Sequence, residues 1–245
     1  LPWYKSSHPG VRWLRSMLSS PRLSAEELAR SLGVAAGDPS VHRPALTWSI
    51  IAALTAIYGV ELVARPAGPS GFSPDITTLI SLGGLARDLV TEGGEWWRTL
   101  TAACLHGSPL HLLMNGVALF MAGVVLEHLL GRAWLAALFV VGALGGSLMG
   151  LAINPGHLVS VGASGAIMGL LAAALVSAMR LPEGPARSSV QGMMARVLIP
   201  SLLPLASASG ARIDYAAHFG GALAGALAGF ALWKTWDVGS PTPRG

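Results

Sequence analysis

Six stretches of 17 to 20 predominantly apolar residues, at 46–64, 111–130, 134–153, 161–179, 193–209 and 216–233, constrain this chain more than any other feature. A bilayer core about 30 Å thick is crossed by about 20 helical residues rising 1.5 Å each. Hydrocarbon offers no partner to a bare N–H or C=O, so segments of this kind cross as helices. Charged residues make up only 11% of the chain, against roughly 25% in soluble domains. Neither sheet-like alternation nor a repeat of about 40 residues competes with this pattern. The expected fold class is therefore an all-α polytopic membrane protein with six transmembrane helices, the fifth interrupted by Pro200 and Pro204.

The spans divide the chain into a tail (1–44), a membrane domain (45–235) and a short C-terminal tail (236–245). Ser24 and Glu27 form a capping-box pattern ahead of Leu28 and Leu32, predicting a short helix near 24–32. The turn-rich stretch 37–44 links it to the first span. Residues 1–44 lack an apolar core, so no cleavable signal is expected. Placing this basic tail in the cytoplasm puts twelve Lys and Arg inside and four (Arg65, Arg87, Arg98, Arg212) outside. That asymmetry predicts a multi-pass plasma-membrane protein with both termini cytoplasmic. The net charge of +4 then reflects topology and contact with anionic lipid. No basic patch with interleaved aromatics suggests nucleic acid, and the single Cys104 excludes an internal disulfide. The outer segment 65–110 is much longer than an ordinary connection, and its Trp96, Trp97 and Arg98 are predicted to anchor at the headgroups.

Ionisable and strongly polar side chains inside a span cost about 2.5–3.5 kcal/mol when charged, which makes each a functional candidate. His111, Asn115, Glu127, Ser164 and His218 stand out. Ser164 lies 16 residues before Arg180, His218 16 before Lys234 and Asn115 17 before Arg132, each count ending at a basic cytoplasmic marker. All three therefore share a level about 24 Å above the cytoplasmic side, nearer the outer surface. His111 lies one turn above Asn115 on the same helix face.

A serine, an imidazole and an amide at one depth suggest acyl transfer. A serine hydroxyl becomes a useful nucleophile when an imidazole takes its proton, which makes Ser164 the candidate nucleophile and His218 the base. The resulting oxyanion needs preorganised donors, available from Asn115, His111 and the Ser164 amide. Taken singly, the serine, the amide and the histidine have plainer readings as helix-packing or interhelical hydrogen-bonding residues. Asp214, one turn before His218, reads as an N-cap rather than a third triad member. Glu127, with Gly123 and Gly131 four residues to either side, reads as a structural hydrogen-bonding group at a tight helix contact. Gly221, Gly225 and Gly229 form a four-residue stripe that lets another backbone approach close to His218. No His-Glu-x-x-His occurs, His106 and His111 lack a third ligand of suitable spacing, and neither a metal nor a cofactor is expected. Paired broken spans and inverted repeats, the marks of a small transporter, are not evident.

These residues resemble the motifs of the rhomboid family of intramembrane serine proteases, over roughly residues 46–233. "GASG" at 162–165 is similar to that family's Gly-x-Ser-Gly, and "AHFGGALAG" at 217–225 to its Ala-His-x-x-Gly-x-x-x-Gly. "HLLMN" at 111–115, "EWWR" at 95–98 and "GVVLEHLLG" at 123–131 resemble three further family motifs in the expected order. The resemblance implies a six-helix core whose short fourth helix carries the nucleophile of a Ser164–His218 dyad. It implies cleavage of transmembrane protein substrates in or near the bilayer, at a site opening toward the outer side. It further implies an oxyanion hole of His111, Asn115 and the Ser164 amide, with Gly162 contributing shape or another amide. Trp97, Arg98, His106, Glu127, Gly165, Gly221 and Gly225 become supporting residues, and the fifth helix with 206–214 a gate. Met168 departs from the pattern, occupying a position where many members carry an aromatic that packs on the catalytic histidine. The competing expectation is a weak or inactive rhomboid-like protein that binds transmembrane clients without cleaving them.

Overall fold

The structure, a computed structural model, describes residues 44–64, 71–203 and 213–235. The expected helix at 24–32, both tails and most of the expected gate at 206–214 lie outside the described residues. In chain order the elements are α1 (Ala45–Ala64), α2 (Ile76–Ser81), β1 (Leu85–Ala86), α3 (Arg87–Thr91), α4 (Arg98–Thr101), α5 (Pro109–Leu130), α6 (Arg132–Ile153), β2 (Val159–Ser160), α7 (Ser164–Ser177), α8 (Pro185–Leu202) and α9 (Tyr215–Thr235).

Four of these helices, α1, α5, α6 and α9, are long and apolar enough to cross a membrane. The fourth expected span is a shorter apolar helix that begins at Ser164, three residues later than the apolar run, because Gly162 holds a left-handed turn ahead of it. The fifth departs most from expectation. Its helix, Pro185–Leu202, starts eight residues before the expected 193 and its first half is polar, while 204–209 of the expected span lie outside the described residues. Gly184 and Pro185 start it early, proline being well placed in a first helical turn. The outer segment is also more structured than a connection. It carries three short helices, and β1 pairs antiparallel with β2 through Leu85↔Ser160 and Ala86↔Val159. Two-residue strands are too short to show an alternating pattern, so the sequence did not announce them.

The core is built around α7. Ile167, Leu170, Leu171, Ala173 and Ala174 are fully buried, and the helix is apolar all round because α5, α6, α8 and α9 surround it. Glycine decides how closely they approach. A Cβ on Gly221 would land on the Gly165 carbonyl, and one on Gly225 on the Gly169 carbonyl. On α6, a Cβ on Gly142 would come 2.8 Å from the Ala166 carbonyl oxygen, and one on Gly146 2.8 Å from that of Ala217. The α9 stripe read from the sequence therefore packs on Gly165, Gly169 and Ala173 of α7, while glycines of α6 pack on both α7 and α9. Apolar side chains gain no hydrophobic burial by leaving lipid for protein, so backbone contact and dispersion dominate this association.

At the other end of α5, Glu127 accepts from the Leu46 and Thr47 amides at 3.0 and 2.9 Å and from Thr47 Oγ1 at 2.8 Å. It thereby caps the first turn of α1 from another helix. A Cβ on Gly123 would sit 2.7 Å from Thr47 Cγ2 and Oγ1, so this glycine serves a tight contact. Gly131 has a different task from the packing expected of it. Nothing lies near its Cβ position, and its φ of 84° instead makes the turn from α5 to α6.

Candidate active site

α5 supplies the first two polar groups. The Ser108 side chain accepts from the His111 amide at 3.2 Å and Pro109 occupies the first turn, so the helix starts just before His111. Asn115 follows one turn later and is buried. His111 packs edge-on against His106 with ring centroids 5.1 Å apart. Burial, aided by His111, pushes His106 down to about 4, so the two rings meet without His106 being charged near neutral pH.

The nucleophile segment arrives from β2. The Gly162 amide donates to the Ala102 carbonyl at 2.8 Å, which lays the turn against the outer segment. Its φ of +123° is a conformation that a Cβ disfavours. A Cβ there would also stand 2.5 Å from His111 Cε1, 2.7 Å from His111 Nε2 and 3.6 Å from Asn115 Nδ2. The Gly162 backbone is thus in close contact with the imidazole and near the amide expected to share an oxyanion. Asn115 Nδ2 is buried without a hydrogen-bond partner among the described residues. A buried donor rarely stays unpaired, so this N–H is one that can meet an acceptor beside the Gly162 turn. Ser164 opens α7, where first-turn amides lack intrahelical acceptors.

α9 brings His218 to the same end of α7. A Cβ on Gly165, the residue after Ser164, would lie 3.3 Å from the carbonyl oxygen of Ala217, the residue before His218. His218 is buried, and its Nδ1 lies 2.8 Å from the Ser201 carbonyl oxygen. Ser164 and His218 make no hydrogen bond to each other in this arrangement. Ser164, Gly162, Gly165, Ser160, Ser147 and Asp214 line one cavity together with small residues of α6 and α9, Ala143, Gly146 and Ala217. The aromatic partner of His218 is Tyr215 on its own helix, with ring centroids 6.4 Å apart, while Met168 is buried in the core cluster.

Other expected supports are placed as follows. Trp96 and Trp97 are about half exposed, as headgroup anchors would be, but Arg98 is not the surface cation expected. Its guanidinium is buried, paired with Glu95 at 2.6 Å and donating to the Ile80 and Gly84 carbonyls at 2.6 and 3.0 Å. The outer segment turns back on itself and leaves carbonyls for which a forked donor is well suited. The His106 amide donates to the Glu61 carboxylate at 3.1 and 3.2 Å. Glu61, fully buried on α1, was missed by the sequence reading although a carboxylate inside an apolar run was signal enough. Asp214 does more than cap. Its carboxylate accepts from the Ala217 amide at 2.9 Å, as a cap does, and also from Asn154 Nδ2 at 2.8 Å and Ser160 Oγ at 2.5 Å. Among the described residues no cluster of His, Cys, Asp and Glu is arranged to hold a metal ion.

A family profile described as the Rhomboid domain matches residues 93–235. The chain is 41% identical over 172 residues to RHOMBOID-like protein 5 of Arabidopsis thaliana, covering 70% of this chain and 55% of that protein. It is 31% identical over 163 residues to Rhomboid protease GluP of Bacillus subtilis, covering 66% of this chain and 31% of that protein. It is 29% identical over 154 residues to Rhomboid protease AarA of Providencia stuartii, covering 55% of each. The chain thus spans about half the length, or less, of these curated relatives.

Proposed function

The chain belongs to the rhomboid family and is a multi-pass membrane protein, and from that premise we propose that it is an intramembrane serine endopeptidase acting on transmembrane substrates. His218 Nε2 takes the proton of Ser164 as Oγ attacks the substrate's carbonyl carbon. Oxyanion charge falls to the Asn115 amide, His111 and the Ser164 N–H, beside Gly162. Collapse breaks the C–N bond with His218 returning the proton to the leaving amine, and a water molecule activated by His218 then releases the acyl group. Each oxyanion donor lowers the barrier by about 2.7–4 kcal/mol by analogy with other acyl-transfer sites. The observation that carries this reading is the unpaired, buried Asn115 Nδ2 beside the Gly162 turn that leads into Ser164. The site opens toward the outer side, and the substrates are single transmembrane helices entering from the bilayer.

The test incubates the purified protein, in bilayers, with several transmembrane substrates and with a fluorophosphonate. Cleavage and labelling that vanish in both Ser164→Ala and His218→Ala support the dyad; cleavage that survives either substitution removes it. The second reading is a family member that binds transmembrane clients without turnover. It is favoured by the unmade Ser164–His218 hydrogen bond and by identity to a plant protein named only as rhomboid-like. Client binding with no fluorophosphonate labelling would select it.

A further inference from the structure

The proposed dyad leaves open what orients its base. In a serine triad a carboxylate holds the histidine Nδ1–H and so keeps Nε2 unprotonated. Asp214 is the nearest acid along α9, but Ser160, Asn154 and the Ala217 amide occupy its carboxylate oxygens. His218 Nδ1 instead meets the Ser201 carbonyl oxygen at 2.8 Å.

That carbonyl is available for a local reason. Ser201 is the penultimate residue of α8, and the last four carbonyls of a helix have no intrahelical donor. The Leu203 amide turns back to the Pro200 carbonyl at 3.3 Å, and Pro204 has no N–H to offer. A carbonyl oxygen can only accept, so the contact requires the proton on Nδ1. In a neutral imidazole Nε2 then carries the lone pair that a general base needs.

We propose that the Ser201 main-chain carbonyl is the positioning group for His218, taking the place of a triad carboxylate by fixing the tautomer and the ring direction. This rests on the dyad reading above. The base is then set by two helices, α9 carrying it and the end of α8 orienting it. Pro200, immediately before Ser201, removes one rung of the α8 ladder, so this last turn is held by fewer hydrogen bonds than an ordinary one. The competence of His218 therefore depends on where the end of α8 lies relative to α9.

The test replaces the Ser201–Leu202 amide with an ester by incorporating the α-hydroxy analogue of leucine at 202 in the full chain. An ester carbonyl is a weaker acceptor, so the perturbation falls on the contact itself. The control ester, at the Pro200–Ser201 link, also deletes one helical N–H but leaves the Ser201 carbonyl an amide. Nitrogen NMR of histidine-labelled protein, with His218 identified by its loss in His218→Gln, reads the tautomer. Fluorophosphonate labelling of Ser164 reads the reaction. The expected result is an Nδ1–H tautomer in the native protein. The 202 ester should shift it toward Nε2–H and slow labelling about tenfold, as for weakening one buried hydrogen bond, while the control labels at close to the native rate. An Nε2–H native spectrum with labelling that still requires His218 overturns this inference and leaves the dyad standing. An Nδ1–H spectrum with labelling indifferent to His218→Gln removes the dyad, and with it the use proposed for the contact. Equal labelling of the two ester proteins also overturns it.

Discussion

Replacing Glu127 should destabilise the membrane domain without touching the site chemistry, and its cost can be worked from the contacts. Glu127→Ala leaves the Leu46 and Thr47 amides and the Thr47 hydroxyl without their acceptor, all at the first turn of α1. A lost N-cap costs about 1 kcal/mol, and each buried donor left without its acceptor about 1–3 kcal/mol. The ion pair with Arg132 at 3.2 Å adds little, because the arginine side chain is 56% exposed. Three such donors sharing one carboxylate give an expected cost of about 3–5 kcal/mol for Glu127→Ala. Glu127→Gln, which keeps one acceptor oxygen, should cost about 1–2 kcal/mol, and Thr47→Val about 1 kcal/mol. For a domain of this size each kcal/mol moves the midpoint by about 2–4 °C, so Glu127→Ala should lower it by about 6–20 °C. Thermal unfolding in detergent, followed by helical circular dichroism, measures the shift, and a Glu127/Thr47 double-mutant cycle should show coupling. Asn115 lies twelve residues away on α5, about 18 Å along the axis. Fluorophosphonate labelling per folded molecule at low temperature should therefore be unchanged. A midpoint within about 2 °C of native for Glu127→Ala, or additive effects in the cycle, would refute the reasoning.

Three further outcomes follow from the same geometry. Gly162→Ala puts a methyl against His111 in a left-handed conformation and should reduce Ser164 labelling by about a hundredfold, the order for losing one oxyanion donor; near-native labelling would show that the turn is not part of the site. Gly221→Ala and Gly225→Ala drive α9 off α7 because the obstacle is backbone, costing about 1–3 kcal/mol or more. Gly229→Ala, nearest to the Ala173 Cα at 3.0 Å, should cost less, and Gly116→Ala, with nothing near its Cβ position, should be neutral; midpoints that ignore this order would sink the packing account. Asp214→Asn keeps an oxygen for the Ala217 amide, but the amide nitrogen that replaces the other oxygen can accept from neither Ser160 nor Asn154. Turnover should fall about tenfold in both Asp214→Asn and Ser160→Ala, and their combination should add little. Independent effects would mean that Asp214 does not join β2 to α9.

Much of the site was legible because its chemistry is costly in a bilayer. His111, Asn115, Ser164 and His218 were conspicuous as polar side chains in apolar runs, and counting along helices put Asn115, Ser164 and His218 at one depth with His111 one turn above. Glu61 met the same criterion and was overlooked. Arg98 was misread because its charge looked like an interfacial anchor, whereas the carbonyls that bury it come from residues 80 and 84, distant from it along the chain. The start of α8 was misplaced because apolarity, rather than the Gly184–Pro185 start signal, was taken as the boundary.

By itself the sequence determined that the chain crosses a membrane as helices, which polar residues are costly inside it and so candidates for chemistry, and which glycine stripe lets helices meet. Hydrophobic length, side-chain type and helical period are local properties, and each can be read without knowing a neighbour. The tertiary structure alone decided that α6, α7 and α9 meet pairwise through glycines, that Glu127 caps a helix other than its own, and that Asp214 joins β2 to α9. It alone decided that the acceptor facing His218 is a main-chain carbonyl. Every residue has such a carbonyl, so nothing in the sequence distinguishes Ser201; only the end of α8 and the approach of α9 leave that one exposed to an imidazole.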